Sequence, residues 1–240
     1  ERNYVLAGYP WFKCRARDMF ISLPGLTLAV GELDEFHNAM ETAREALNDW
    51  MNERPSEAKV YEMEHPDILL WAIWTLQQYA KMVGAKQCWE KYGQLMEDIM
   101  DYLVSGKHPN LFLHQNGLLY TNGSDKAVSW MNSTAGGRPV VARTGYLVEV
   151  NSLWYNALMF VAKMMNEQGN PAEAAPLEKL AEKVKPAFVE TFLNEYGYLL
   201  DYVDGYMMDW SVRPNMIFTV AFDYSPLDTH QKKRVLDIVT

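Results

Sequence analysis

The stretch "DILLWAIWTLQQYAKMVG", residues 67–84, carries apolar side chains on most faces of the helix that its length and spacing predict. A helix that is apolar on nearly every side leaves no face for water, so it belongs in the interior of a fold. Asp67 can cap its start, and Gly84 is typical of the residue just past a helix end. This stretch therefore predicts an inner helix of a helical protein.

The segments on either side of this helix are amphipathic. The apolar stripe of residues 34–52 consists of Phe36, Met40, Ala43, Leu47 and Trp50. Asp34 can cap this helix, and Pro55 stops it. Residues 86–105 repeat the amphipathic pattern. One solvated face on each helix predicts a position on the outside of the fold.

The same alternation continues along the chain. Further helices are predicted at residues 17–30 (with a bend at Pro24), 149–169, 172–195, 214–222 and 226–239. The first two are mostly apolar and the third is amphipathic. Strand signals are weak, since residues 117–121 and 197–204 fit short strands or extended loops equally well. A bundle of equivalent helices would show one pattern throughout. The alternation predicts an all-α toroid with an inner and an outer ring of helices, in a single domain over residues 1–240.

The charge and the cysteines bear on the class of function. The formal net charge is −9 and no basic cluster interrupts it, which argues against nucleic-acid binding and against an anionic membrane surface. No apolar run is long enough to span a bilayer. Cys14 and Cys88 cannot make a disulfide framework. One bridge is possible, but the expectation is two free thiols in a reducing compartment, the cytoplasm.

Aromatic residues make up 13% of the chain, with eight Trp and 14 Tyr. Most aromatic side chains pack in cores. A carbohydrate site is the alternative, because sugar rings stack their C–H faces on Trp and Tyr while carboxylates, amides and Arg bind their hydroxyls. Residues 124–156 begin as a long loop that carries Trp, Asn, Arg and Glu side chains into a helix. Loops of that length are usually functional.

Four blocks of the sequence, in order, resemble the amylo-α-1,6-glucosidase domain of glycogen debranching enzymes. They are "AGYPWFKCRARDMFISLPGL" (7–26), "HPDILLWAIWTLQQY" (65–79), "SWMNSTAGGRPVVARTGYLVEVNSLWYNAL" (129–158) and "SVRPNMIFTVAF" (211–222). Together they cover nearly the whole chain, which makes this resemblance far more specific than a single short motif.

The resemblance implies an (α/α)6 toroid of inner and outer helices. Because the chain predicts about eight helices, the resemblance also implies a toroid truncated before its last helices, without the catalytic Glu that serves as general base. The implied activity is hydrolysis of α-1,6-glucosidic branch stubs with inversion and without a cofactor. The implied partners are an α-glucan or oligosaccharide substrate and further domains of the same polypeptide.

Asn132 stands where the resemblance puts the general acid, at the last residue of a Trp-Met-Asp motif. Inversion needs two carboxyl groups, one to protonate the leaving oxygen and one to activate a water. An amide cannot act as the acid, and losing that group costs about two to four orders of magnitude in rate. The alternative is a loop Asn that bonds to the backbone. Nothing in the spacing of Asp125, the nearest acidic residue upstream, supports a substitute role.

Several further residues are expected to bind the substrate. By resemblance, Arg17 and Asp18 hold the hydroxyls of the terminal glucose, for which a guanidinium and a carboxylate are well suited. The alternative for this pair is an exposed ion pair at a helix start. Trp11 and Trp130 are candidate sugar platforms, with core packing as the alternative for each.

The remaining candidates lie at helix starts. Asp67 either caps its helix or, by resemblance, faces the pocket. Glu149 opens a mostly apolar helix, and burying it unpaired would be costly, so we expect an ion pair with Arg143 that serves the structure or the substrate. Arg213 and Asn215 flank a Pro where the anionic or hydroxyl-rich side of a ligand would fit.

Three hypotheses follow. The first is a glycoside hydrolase of the glycogen-debranching type. The second is a glucan-binding pseudoenzyme, because of Asn132 and the missing closing part. The third is a related α/α-toroid glycosidase that acts on another sugar. The five His show no metal-ligand spacing, so no metal site is expected.

Overall fold

The helices follow the apolar segments of the sequence in the computed structural model, which describes residues 2–240. The chain forms two compact units, one that ends at Tyr102 and one that spans Leu103–Thr240. Over the described residues it has eight α-helices and seven short strands, so the domain is mostly helical. In this part of the chain no helix is both long and apolar enough to cross a membrane.

The first unit is built from helices. They are α1 (Ala16–Leu26), α2 (Leu33–Met51), α3 (Ile68–Val83) and most of α4 (Ala85–Val104). Helix α3 is buried as predicted, since every residue from Ile68 to Ile73 lies in the interior. Helix α1 packs against it. Helix α2 buries its apolar stripe apart from Trp50, which is half-buried.

Two predicted features of this unit differ in detail. The predicted helix 17–30 breaks at Thr27, whose hydroxyl donates to the carbonyl of Leu23, and a short 3-10 turn (Leu28–Val30) follows. The prediction that Asp34 caps α2 is wrong, because the helix begins one residue earlier. Asp34 instead lies in the first turn, where its charge still favours the positive end of the helix dipole.

The second unit combines helices with a sheet. Its helices are α5 (Val148–Glu167), α6 (Pro171–Phe192), α7 (Asn215–Ala221) and α8 (Thr229–Val239). Helix α5 packs against α6 and α7, and α7 packs against α8. Every residue from Val148 to Leu158 is buried, so α5 is the apolar centre of this unit.

The sheets are a correction to the all-α expectation. Five antiparallel strands pair in the order β1 (Phe112–Leu113), β2 (Leu119–Thr121), β5 (Gly145–Leu147), β6 (Tyr202–Asp204) and β7 (Met207–Met208). Strands β3 (Thr134–Ala135) and β4 (Arg138–Pro139) form a separate hairpin. The two weak strand signals become β2 and β6. The other strands span two or three residues, too short to show an alternating pattern.

Strand β5 leads directly into α5 and so positions the residues at the start of that helix. Gly145 makes its close pairing with β6 possible. Its φ is 107°, and an added Cβ would lie 2.1 Å from the carbonyl oxygen of Val203. Only glycine fits there, because a side chain would meet both a strained backbone and the next strand.

Candidate functional site

In the first unit, Arg17 and Asp67 form a buried, two-pronged ion pair. Nε of Arg17 lies 2.7 Å from Oδ2 of Asp67, and Nη2 lies 2.9 Å from Oδ1. Oδ2 also accepts from the indole N–H of Trp71 at 3.1 Å. Asp67 occupies the N-cap position of α3, yet its side chain caps no backbone N–H. The capping prediction is therefore wrong, because the carboxylate bonds to Arg17 and Trp71 instead.

His65 completes this group. Its Nδ1 lies 2.8 Å from Nη2 of Arg17. A guanidinium can only donate, so Nδ1 must accept and the neutral ring carries its proton on Nε2. Burial, and then the charge of Arg17, lower the pKa of His65. Burial lowers the pKa of Arg17 as well, but Asp67 more than offsets this and leaves it above its ordinary value.

The other two candidates of this unit are exposed. Asp18 is exposed, and it acts on the buried Arg17 through its charge, so the alternative of an exposed Arg17–Asp18 pair is wrong. Trp11 is 82% exposed, so core packing is wrong for it. Of the four candidates in this unit, the structure joins Arg17 and Asp67 by hydrogen bonds.

In the second unit, Arg143 is the centre of a buried charge network. Its Nη1 donates to Oε1 of Glu149, and its Nη2 donates to Oε2 at 2.6 Å. Its Nε and Nη2 donate to the carboxylate of Asp201 at 2.9 and 3.1 Å, and Nη1 donates to the hydroxyl of Ser129 at 3.0 Å. Arg143, Glu149 and Asp201 are each at most 2% exposed. The expected pair of Arg143 and Glu149 is thus present, with a second carboxylate that was not expected.

A second arginine, Arg213, also contacts Asp201, together with a further carboxylate, Asp209. Nη1 of Arg213 lies 2.8 Å from Oδ2 of Asp201 and 3.0 Å from Oδ2 of Asp209. Burial lowers the pKa of Arg143, but Glu149 and Asp201 more than offset this and raise it above its ordinary value. Both arginines therefore stay charged, and each buried carboxylate has a cationic partner.

Asn215 connects this network to Trp130. The amide nitrogen of Asn215 donates to Oδ1 of Asp201 at 2.7 Å, and its oxygen accepts the indole N–H of Trp130 at 2.7 Å. A carboxylate only accepts and an indole N–H only donates, so the amide has a single possible orientation. Asn215 is fully buried, whereas Trp130 is 44% exposed. The network therefore holds a tryptophan ring at the surface of the protein.

The family model described as amylo-alpha-1,6-glucosidase matches residues 1–240. The chain belongs to this family. A search of the curated proteins finds no match. Membership of the amylo-alpha-1,6-glucosidase family shows a glycoside-hydrolase-like domain of the glycogen-debranching type.

Asn132 is exposed in this member of the amylo-alpha-1,6-glucosidase family. Its backbone N–H donates to the carbonyl of Trp130 at 2.9 Å, which closes a tight turn before the β3–β4 hairpin. Among the described residues its side-chain amide has no hydrogen-bond partner. The backbone bond expected of a loop Asn is therefore made by its main chain, while the amide group is free to meet a ligand.

The structure gathers residues from distant blocks of the sequence. Five of the candidate residues join one network of hydrogen bonds and ion pairs: Trp130, Arg143, Glu149, Arg213 and Asn215. Asp201, Ser129 and His65 were missed. Asp201 had a signal, because it is the one carboxylate inside the mostly apolar stretch "GYLLDYV" (197–203), where a buried charge needs a partner.

The two cysteines do not form a disulfide. Cys14 and Cys88 are free and buried, so the possible bridge is not formed. Burial raises the pKa of Cys14 to about 11 and that of Cys88 to about 12.

Within residues 2–240, no three His, Cys, Asp or Glu side chains are grouped in a way that could hold a metal ion.

Proposed function

We propose that this chain is a catalytic α-glucosidase domain that hydrolyses the α-1,6-linked branch stubs of glycogen or related α-glucans with inversion. The observation that carries the proposal is the contact between Trp130 and Asn215. It fixes a half-exposed indole two residues from Asn132, on the buried network of Arg143 and Asp201. A ring held in one orientation can stack on a sugar at little entropic cost, because it loses little freedom on binding.

In this proposal Arg17 and Asp18 bind hydroxyl groups of a glucose unit of the substrate. Arg17 uses Nε and Nη2 for Asp67 and His65, and its Nη1 has no acceptor among the described residues. That nitrogen is the group that would donate to a sugar hydroxyl, and the exposed carboxylate of Asp18 would accept from another. Asp67 then acts on the sugar only indirectly, by holding the guanidinium in place.

The bond-breaking step depends on residue 132. The leaving glycosidic oxygen must receive a proton, and a water must attack the anomeric carbon from the opposite face with help from a carboxylate. Asn132 can donate a hydrogen bond to the leaving oxygen but cannot transfer a proton to it. We therefore expect turnover about two to four orders of magnitude below that of a homologous site with an acid there. The general base is assigned to no residue of this sequence.

The proposed architecture is an (α/α)6 toroid. Helices α3 and α5, which are buried on most faces, would stand in the inner ring. Helices α2 and α4, each with one exposed face, would stand in the outer ring. What supports this assignment is the burial of the individual helices.

A second candidate function is a glucan-binding protein with impaired catalysis. The amide at residue 132 favours it, because every other predicted contact would still bind a sugar. The two functions share a binding site and differ in turnover, so one experiment separates them.

The test uses a maltooligosaccharide that carries a single α-1,6-linked glucose stub. Release of glucose is followed by proton NMR, and binding is followed by calorimetry, with the unbranched oligosaccharide as control. Inverting hydrolysis yields β-glucose as the first product. Initial α-glucose would contradict inversion. Binding without any release supports the second candidate, and neither binding nor release would refute both.

A further inference from the structure

The second unit contains another concave surface, on the five-stranded sheet. A shallow cleft of about 510 Å³ is lined by Leu113, His114, Gln115, Asn116 and Tyr146. Its volume falls within the range of small-molecule sites. None of its lining residues is hydrogen-bonded to Arg143, Asp201 or Asn215. The proposed catalytic site therefore leaves this surface unexplained.

The rings of His114 and Tyr146 line the cleft, and further aromatic rings lie next to them on the sheet. Strand pairing puts Phe112 opposite Tyr120 and Tyr120 opposite Tyr146, so the three rings project from the same face of the sheet. The imidazole of His114 stacks on Tyr120 with ring centroids 5.0 Å apart and planes inclined by 15°. The ring of Tyr146 meets His114 edge-on at 5.5 Å. These contacts hold the rings in fixed positions before any ligand binds.

Neutral polar groups stand beside the rings. The hydroxyl of Tyr146 lies 2.7 Å from Nδ1 of His114 and 3.4 Å from the amide nitrogen of Asn116. The amide oxygen of Asn116 accepts from the backbone of Leu118 at 3.0 Å, which fixes the orientation of the amide. Gln115 is exposed, and its amide has no hydrogen-bond partner among the described residues. The cleft thus offers amide donors and acceptors next to an aromatic surface.

The charges of the lining narrow the class of ligand. No Lys, Arg, Asp or Glu lines the cleft, so the lining offers no fixed charge that would select an ion. The net charge of −9 further disfavours an anion. A neutral ligand with several hydroxyl groups and an apolar ring face fits both the amides and the aromatic rings. A sugar has this combination of properties.

We propose that this cleft is a second glucan-binding site, separate from the platform at Trp130. The choice of an α-glucan rests on the proposed function, whereas the neutral sugar chemistry rests on the cleft itself. Two sites on one protein raise the affinity for a polymer, because the second contact is made at a high effective concentration. A short oligosaccharide molecule occupies only one site at a time, so the presence of a second site does not raise its affinity through avidity.

The first test is affinity electrophoresis in gels that contain glycogen. The variant H114A/Q115A changes two exposed cleft residues, and the variant H230A/Q94A changes the same residue types on exposed surfaces elsewhere. We expect the apparent affinity for glycogen to fall at least about tenfold in the cleft variant, since avidity from two sites reaches about 100-fold or more. The control variant should match the parent protein. Equal affinity of both variants would refute the proposal.

The second test separates this site from the proposed catalytic one. Maltoheptaose is titrated into the protein while NMR follows the imidazole C–H signals of His114 and the indole N–H signal of Trp130. Shifts at His114 support the cleft whether or not Trp130 responds. Shifts at Trp130 without shifts at His114 refute the cleft and leave the proposed function intact. Absence of shifts at both refutes the cleft, and a stronger response of His114 to inorganic phosphate or to a short peptide refutes its sugar specificity.

Discussion

The indole N–H of Trp130 donates a hydrogen bond of 2.7 Å to the side-chain oxygen of Asn215. The two residues are 85 positions apart, one in a loop and the other at the first position of α7. The buried Asn215 is held in turn by Asp201. The position of the exposed ring therefore depends on a carboxylate that Trp130 does not touch.

This contact predicts an energetic coupling between the two residues. Trp130→Phe keeps a ring but removes the N–H, and Asn215→Ala removes the acceptor. We expect the double variant to be less destabilised than the sum of the single variants, with a coupling of about 0.5–3 kcal/mol. Urea unfolding of the four proteins measures it. Trp210→Phe changes another half-exposed Trp and serves as the control. Its effect on the free energy of unfolding should simply add to that of Asn215→Ala. Additivity for Trp130 as well would contradict the structural role of the bond.

The buried network predicts different roles for the two carboxylates that bind Arg213. Asp201→Asn removes the negative charge shared by two arginines and one amide, so we expect a loss of about 3–5 kcal/mol in the free energy of unfolding. Asp209→Asn removes a less buried partner of Arg213, which keeps its contact with Asp201, and should therefore cost less than Asp201→Asn. Urea midpoints at neutral pH compare the two variants. A similar loss in both would mean that burial of the Arg143 network contributes little.

The amide at residue 132 predicts a gain of activity. Asn132→Asp supplies a carboxyl group at the expected general-acid position, so we expect hydrolysis of the branch stub to accelerate by about 100- to 10,000-fold. The rate of glucose release from the branched oligosaccharide measures this. Asn170→Asp makes the same change of charge at a helix N-cap in the same unit and should leave the rate unchanged. An equal effect of both substitutions would show that the general charge of the unit, and not proton donation, is responsible.

The pKa of His65 predicts an acid-sensitive stability. Its pKa in the folded protein lies below the ordinary value of 6.5, because burial and Arg17 oppose the charged ring. As pH falls through about 6.5, the unfolded chain takes up the proton first, so stability drops until the folded pKa is reached. Above that window the full contribution is present. His65→Gln keeps a neutral acceptor for Arg17 and should reduce this slope.

Urea midpoints measured between about pH 5 and about pH 8 test this prediction. The variant should retain some pH dependence, because the pKa of His37 is also lowered by burial and by Lys91. His37→Gln should reduce the slope independently of His65→Gln. An unchanged slope in the His65 variant would show that its ring does not accept from Arg17 in solution.

Most of the helical fold could be predicted from the sequence. The predicted helix 67–84 is observed as Ile68–Val83, and the predicted helix 149–169 as Val148–Glu167. These agree because the pattern of apolar side chains is local and repeats over several turns. Apart from the two weak signals that became β2 and β6, the strands were not predicted, because strand pairing depends on residues that are distant in the chain. Phe112–Leu113 has only two residues, and it is a strand because Tyr120 and Leu119 lie opposite it.

The contacts in the candidate site were also predictable only where the two residues are close in the chain. Arg143 and Glu149 are six positions apart, and an unpaired buried Glu at the start of an apolar helix already suggested a cation nearby. Arg17 and Asp67 are 50 positions apart, and Arg143 and Asp201 are 58 apart. No local pattern indicates which distant carboxylate an arginine will meet, so these partners were missed or assigned other roles.

The sequence by itself therefore determined the helices and, through its four motif blocks, membership of the amylo-alpha-1,6-glucosidase family. Both depend on residues that are close in the chain. The tertiary structure alone decided that Arg17 pairs with Asp67 while Asp18 stays exposed, and that Asp201 joins Arg143 to Asn215. The physical reason is that a buried charge must find an opposite charge, and which one it finds is set by the packing of segments that lie far apart in the chain.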